Sequence, residues 1–552
     1  MQFLMCLFLL ATQKPDLQVS VYATAGDIQR HLLTAEGRER AEAALRRLGV
    51  TGIFLEGRRG GEYVNPERLR EVRAWFEERG FSTAGGIATV PGEAFGERQD
   101  TKLGWLNWES PKTRRDVAGY FRENAPVFKS LIVDDFYCTA DTSPISEKAR
   151  GARPWATYRQ DLLAGLIEPM ILTPARQAHP GVRLIIKYPQ WYDRFHMFGY
   201  DPARESPLFD AVWAGTEVRN PATQRMGYVQ PTQGYMNFRW IASIAGERMR
   251  GAWFDHIECT GRNFVDQAWQ SVLAGAGEIT LFHLGDLMEG HPGHALFQAA
   301  LPGLQRTASQ IRGREVSGIS YYKPSGSDPA DNMYLMDYLG MIGLPVVPAS
   351  RYPAGSRVVI LGAQAAADAD LVTAVESHVK RGATVVVTPA LLRKVPRLQQ
   401  MARVRVTPEP KPVLAVSVLV KDRAIALATP LEIDAGIEAE APAITAESAS
   451  GRVPWLTGGK LIVWNVRTFS EQDFRETGEW LLPPKPLGIA SIPQELADTV
   501  RSRLGFPLSA PVRVAYYIFG GRPCFYNFRD ETVRLGLGGR TFELEANGFA
   551  CQ

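Results

Sequence analysis

The sequence predicts an α/β protein led by a closed (β/α)8 TIM barrel, followed by a flavodoxin-like α/β domain and a β-rich C-terminal region. Three observations predict it. Apolar strands alternate with amphipathic helices from Leu17 to Gln310, and three of those strands end in acids. A second, shorter alternation starts near Gly313, and after Arg403 it gives way to short strands punctuated by Pro and Gly.

The elements follow in order. Leu17–Tyr22 opens the series, and a helix from Ala35 to Leu48 ends at Gly49. Val50–Glu56 is the second strand, followed by a helix from Pro66 that puts Leu69, Val72, Trp75 and Phe76 on one face. Phe81–Ile87 is the third strand and Ser130–Asp135 the fourth; Val182–Tyr188 is the fifth, Phe209–Glu217 the sixth, Gly251–Glu258 the seventh and Ile279–Leu284 the eighth. Eight units in succession favour closure over an open doubly wound sheet. This places the barrel at 17–312, the second α/β domain at 313–403 and the β-rich region at 404–552, with Leu461–Val466 among its strands.

Composition narrows the class. With 45% hydrophobic and 22% charged residues the 552-residue chain is an ordinary globular protein, and a net charge of +3 sets up no field for nucleic acid or an anionic membrane. The five cysteines have no metal-like spacing and suggest no disulfide framework; Cys138 and Cys259 lie just past acid-bearing strands, as small residues near the mouth or as a thiol or disulfide pair. Residues 1–16 open with an apolar run too short to span a bilayer and about the length of an export signal core, without a basic flank or clear cleavage site. A secreted or periplasmic location is expected, with the cytoplasm as the alternative.

The strand ends carry the chemistry. Asp134 and Asp135 finish strand four, Glu217 strand six, and Asp255 with Glu258 strand seven. Acids at the C-terminal rim of a barrel converge on one pocket, and glycosidic cleavage needs two carboxyl groups, one protonated and one ionised. Only one of the adjacent aspartates should face the axis, and parity alone does not say which. The expected roles are Glu217 as general acid/base, one of Asp134 and Asp135 as nucleophile or water-activating base, and Asp255 as an orienting or charge-stabilising group. Glu56, Arg58, Tyr137, Lys187, Tyr188, Trp191, Arg219, Gln230, Tyr235, Glu258 and His283 complete the expected site, as stacking faces and hydroxyl-binding groups. His291-x-x-His294 lacks an acid at helical spacing to complete a metal site, and neither GxGxxG after a strand, GxxxxGK[ST] nor G-x-S-x-G occurs, so no metal or cofactor is expected.

The domain order resembles that of family-42 β-galactosidases, a barrel followed by an amidotransferase-related trimerisation domain and a small β domain. That resemblance implies a carbohydrate substrate and a homo-oligomer held through the flavodoxin-like domain. Where that family carries Asn-Glu after strand four and Glu after strand seven, this chain reads Val133-Asp134-Asp135-Phe136 and Phe254-Asp255-His256. Leu55-Glu56-Gly57-Arg58, Asp134-Asp135-Phe136-Tyr137-Cys138-Thr139, Ile186-Lys187-Tyr188-Pro189 and Gly215-Thr216-Glu217-Val218-Arg219 are similar to segments of bacterial proteins grouped as glycosyl hydrolases. Val358–Gln364 has no cysteine where an amidotransferase nucleophile would sit, which implies a structural role for the second domain. The chain is therefore expected to be a glycoside hydrolase. The alternatives are a carbohydrate-binding scaffold on an inactive barrel, or a lyase or epimerase acting on sugar acids.

Overall fold

The computed structural model describes residues 16–220, 227–421, 423–440 and 442–552. The expected export segment, apart from Asp16, and Cys6 lie outside the described residues.

Eight parallel strands close on themselves: β1 (Gln18–Ala23), β2 (Gly52–Arg59), β3 (Ser82–Ala88), β4 (Ser130–Val133), β5 (Arg183–Tyr188), β6 (Ala211–Gly215), β7 (Met249–Asp255) and β8 (Glu278–Phe282). Each pairs with its neighbours in sequence order, and β1 pairs with both β2 and β8, which shuts the barrel. Helices form where the sequence supplies caps and an apolar stripe. In α1 (Ala35–Arg47) the Thr34 hydroxyl accepts from Gly37 N–H; in α2 (Pro66–Glu78) Asn65 caps, Pro66 starts the helix, and Leu69, Val72 and Phe76 are buried against the strands.

Inside the barrel, Tyr22, Phe54, Ala84, Ile132, Ile185, Ala211, Trp213 and Trp253 form one apolar layer, with Phe282 against it. That layer fixes the parity of every strand end. Two residues beyond Phe54, Ile132, Ile185 and Trp253 stand Glu56, Asp134, Lys187 and Asp255, so these side chains rise above the layer on the barrel axis.

The second unit is a five-stranded parallel sheet in the order Val346–Ala349, Ile319–Tyr322, Val358–Leu361, Thr384–Val387 and Leu461–Val463. The last strand is a difference from the expected division at 403, because Leu461–Val463 was placed in the β-rich region. A short apolar run has the same pattern whether it is a half-buried antiparallel strand or a buried parallel one, so periodicity cannot assign it. The intervening chain forms an antiparallel sheet from Arg423–Asp434, Pro412–Val420, Pro442–Ser448 and Gly451–Thr457. A last sheet joins Val316–Ser317 to Val514–Phe519, Arg522–Asn527 and Phe549–Cys551.

Across those last two strands Cys524 faces Cys551 and the two form a disulfide, a pairing that the cysteine spacing did not suggest. The partners are separated by 27 residues in sequence, and only the strand register brings them together. Cys138 and Cys259 are free.

Polar contacts seat the later units on the barrel. Lys323 pairs with buried Asp193 (3.0 Å), Tyr192 donates to Asp337 (2.7 Å), and Tyr517 and Tyr526 donate to Gln270 (2.7 Å) and Asp266 (2.6 Å) of the helix Gly261–Leu273. Among the described residues no helix is long and apolar enough to cross a membrane.

Candidate active site

Lys187 is the centre of the barrel mouth. Its ammonium lies 2.5 Å from Asp135 Oδ2, 3.0 Å from Glu217 Oε1 and 3.5 Å from Asp134 Oδ1, and 4.5 Å from the centroid of the Trp253 ring. All four charged groups are buried. Burial alone would strip the proton from Lys187, but Asp135, Glu217 and Asp134 outweigh it and hold the ammonium above the ordinary lysine range.

The two aspartates divide their work. Asp134 has axis-facing parity; one oxygen accepts from Arg59 (2.7 Å) and the other from the Asp135 N–H (2.8 Å). Burial pushes its carboxyl up, yet Lys187 and Arg59 win and keep it below the usual aspartate range. Asp135 stands one residue past the end of β4, where pleat alternation no longer binds it, and so it too reaches Lys187. Burial, reinforced by Asp134 and Glu217 and opposed by Lys187, raises the Asp135 carboxyl to about 7.

Glu217 is held from both sides. Lys187 donates to Oε1; with its amide nitrogen turned toward the acid, Gln190 donates to Oε2 (2.5 Å) and accepts from Arg219 through its oxygen (2.5 Å). Arg219 also donates to Asp255, whose other oxygen accepts from Ile257 N–H (3.1 Å). Burial raises Asp255 to about 6 against the attraction of Arg219. Gln267 braces this side of the mouth, donating to the Asp255 carbonyl (3.0 Å) and accepting from Val218 N–H (2.9 Å).

On the opposite wall Arg59 spans Glu56 and Asp134. Glu56 also accepts from Tyr22 (2.8 Å) and from the Ala25 N–H (2.9 Å). Next to it His283 bonds buried Asp27 through Nδ1 (2.8 Å), which keeps the imidazole more basic than usual despite its burial. The mouth is thus a ring of alternating charge: Glu56, Arg59, Asp134, Lys187 with Asp135 and Glu217, then Arg219 and Asp255. Such a ring can donate a proton from one carboxyl while keeping another ionised, as cleavage at an acetal carbon requires.

Residues 9–299, more than half of the chain, match the family described as probable glycosyl hydrolase, catalytic domain. The chain belongs to this family. The matched residues take in all eight strands of the closed barrel. Residues 315–419 match the second domain of the uncharacterized protein SSO3021. SSO3021 itself, from Saccharolobus solfataricus, is 25% identical over 368 residues, and the match spans 60% of this chain and 60% of that protein. Among solved structures, the cold-adapted β-galactosidase from Rahnella sp. R3 superposes with a TM-score of 0.66 at 12% identity, covering 98% of each chain. The α-L-fucosidase isoenzyme 2 from Paenibacillus thiaminolyticus gives 0.62 at 12% identity, covering 94% of this chain and 93% of that one. At such identities the likeness is one of fold.

The structure gathers Asp134, Asp135, Glu217, Asp255, Glu56, Lys187 and Arg219 at one mouth, with His283 on its rim. It sends others elsewhere. Arg58 lies over the rings of Tyr63 (4.3 Å) and Phe95 (4.8 Å), outside the barrel, because a β-bulge between Glu56 and Arg58 shifts the alternation by one and gives the inward place to Arg59. Tyr137 is core: its hydroxyl donates to the Leu163 carbonyl (2.7 Å) and its ring meets Trp108 edge-on. Tyr188 follows inward Lys187 and therefore faces out, against Phe195 and Tyr200. Tyr235 packs on Tyr517 of the last sheet (4.8 Å), and Gln230 donates to the Tyr228 carbonyl (3.3 Å). Trp191 is buried in the apolar core beside Gln190. Glu258 stands in a left-handed turn (φ 53°) where its carbonyl accepts from Asn220 N–H (2.9 Å). His291 and His294 bond the Cys259 carbonyl (3.0 Å) and His256 (2.7 Å).

Arg59, Gln190 and Trp253, with Tyr22, Asp27 and Gln267 behind them, are contributors that sequence reasoning missed. Arg59 was hidden by the bulge. Trp253 was legible, being the inward residue before Asp255.

Proposed function

We propose that the barrel cleaves a glycosidic bond with retention of configuration, Asp135 serving as acid/base and Glu217 as nucleophile. One observation carries this reading: a single ammonium binds Asp135 Oδ2 and Glu217 Oε1 at 2.5 and 3.0 Å. The two oxygens can therefore be no further apart than the sum of those contacts, which is short of the about 6.5–9.5 Å of inverting enzymes and favours retention. The roles are the reverse of those expected from sequence. With its carboxyl near 7, Asp135 is the group that still holds a proton in neutral solution.

In the first step the Asp135 proton passes to the glycosidic oxygen as the C–O bond breaks, and Glu217 Oε1 forms an ester bond to the anomeric carbon. In the second, Asp135, now ionised, takes a proton from water; the water oxygen attacks the anomeric carbon and Glu217 leaves as carboxylate. Lys187 screens the two acids from one another in the free enzyme. Asp134, pinned by Arg59, orients Asp135 through its backbone N–H. Asp255 and Arg219 face positive charge and hydroxyls near the same carbon.

The test is a panel of aryl glycosides and oligosaccharides with proton NMR of the first-formed product. Retention by wild type, with activity lost in Glu217→Gln and restored as the glycosyl azide by added azide, supports the assignment. An inverted product overturns it, azide rescue in Asp255→Asn instead of Glu217→Gln moves the nucleophile to strand seven, and binding without turnover favours the scaffold. Unsaturated products favour a lyase. We further propose that the protein works in an oxidising compartment, a reading supported by the Cys524–Cys551 disulfide.

A further inference from the structure

A segment from far downstream in the chain packs against the loops that follow β5 and β6. Arg194, in the loop after β5, pairs with Glu471, stacks over Phe474 (4.2 Å) and donates through Nε to the Trp480 carbonyl (3.0 Å). Beyond β6, Tyr228 N–H donates to the Pro483 carbonyl (2.8 Å); at Gly227 an added Cβ would come within 2.7 Å of Leu482 Cβ, so the two backbones touch. Tyr334 donates to the Leu481 carbonyl. The segment Glu471–Pro483 is therefore fastened along the rim made by the loops after β5 and β6, the loops that deliver Gln190 and Glu217.

On that segment sits the one exposed tryptophan of the twelve in the chain: Trp480, 38% accessible. Its ring makes no stacking or cation contact among the described residues and lies outside the apolar core. Its backbone is fixed nonetheless. The Glu479 carboxylate accepts from the N–H groups of Trp480 (2.9 Å) and Leu481 (3.1 Å), and Leu482 is buried. More than a third of Trp480 is left open to water on a segment whose backbone is fixed, and that exposed aromatic area forgoes the gain that full burial would bring. The flat apolar face of the indole matches the C–H face of a pyranose ring, and the loops its segment packs against are those that carry Gln190 and Glu217.

We propose that Trp480 is a stacking platform for a sugar unit beyond the scissile bond, so that the substrate is an oligosaccharide lying across the rim from the acid cluster toward the β5 and β6 loops. This rests on the glycosidase reading above.

The test compares wild type, Trp480→Ala and Trp480→Phe on an aryl monoglycoside and on oligosaccharides of the same sugar. The expected result is a loss of about tenfold in kcat/KM on the oligosaccharides for Trp480→Ala, the size of one aromatic contact, with Trp480→Phe retaining most of the activity and all three proteins equal within about twofold on the monoglycoside. Equal losses on both substrates, or no loss on either, overturn the platform. So does a change of oligomeric state on gel filtration in Trp480→Ala, which would make the indole a subunit contact. If wild type cleaves nothing, the glycosidase reading has failed, and the platform is judged separately by titrating oligosaccharides against tryptophan fluorescence. Quenching in wild type that Trp480→Ala abolishes upholds it, and identical titrations overturn it.

Discussion

Replacing Lys187 by methionine removes one charge and little volume, and its consequence depends on pH in a way the geometry dictates. In the folded protein the ammonium offsets three buried carboxylates. Above about 7 Asp135 joins Asp134 in its ionised form; the variant then leaves buried negative charge without its counter-ion, and the loss should be about 3–5 kcal/mol, as for other broken buried ion pairs. At pH 5 Asp135 already holds its proton in wild type, so the lysine offsets less charge and its loss costs less. The sign follows from linkage: a carboxyl whose folded pKa is raised gives its full stability below its unfolded value near 4, and that stability is lost as pH rises through the folded value. Lys187 lowers Asp135, so the variant raises it further and stretches that loss to higher pH. The assay is the urea midpoint of Lys187→Met against wild type at pH 5 and pH 8, followed by circular dichroism. Midpoints are compared instead of extrapolated free energies, because a chain with several sheets need not unfold in one step. A gap between the proteins that is the same at both pH values, or wider at pH 5, would refute the reasoning.

Three other outcomes follow from the same contacts. Asp135→Asn should lower kcat about 10²–10⁴-fold, and the fall in wild-type kcat/KM above pH 7, where the acid loses its proton, should vanish from the residual activity; a variant that keeps that limb names a different acid. Arg59→Ala strips the shared guanidinium from Glu56 and Asp134 and should cost about 3 kcal/mol and most of the activity, whereas Arg58→Ala, out over Tyr63 and Phe95, should leave kcat/KM within about threefold; equal effects on turnover would contradict the bulge. Reducing Cys524–Cys551 opens a loop of 27 residues and should lower stability by roughly 2–4 kcal/mol, read as a drop in melting temperature with dithiothreitol that a Cys551→Ser variant no longer shows.

The barrel was legible because its signal is long and redundant. Strand after strand carries an apolar core ending at the same rim, and acids at those ends mark where the rim is wet. What was not legible is everything set by a shift of one residue or by contact between distant segments. No pattern in Leu55-Glu56-Gly57-Arg58-Arg59 announces the bulge that exchanges the two arginines. Tyr188 was drawn to the site by its nearness to Lys187, but adjacency along a strand means opposite faces, and Tyr137 lies past the end of β4, where its position follows from packing on Trp108 and not from alternation. The strand Leu461–Val463 and the disulfide depend on pairings across the chain.

Parity, applied from the buried layer upward, would have resolved much of this. Once Ile132 is known to face the axis, Asp134 must follow it, and Asp135 reaches the site only because β4 ends at Val133. The same count from Ile185 selects Lys187 over Tyr188, and from Trp253 selects Asp255 over His256. The count does not give charge states. Asp134 and Asp135 are neighbours of one residue type bound to one lysine, yet Arg59 and a backbone N–H fall to the first alone, so its carboxyl drops while the second rises to about 7. The two aspartates differ in proton affinity because a bulge on another strand turns Arg59 inward toward only one of them.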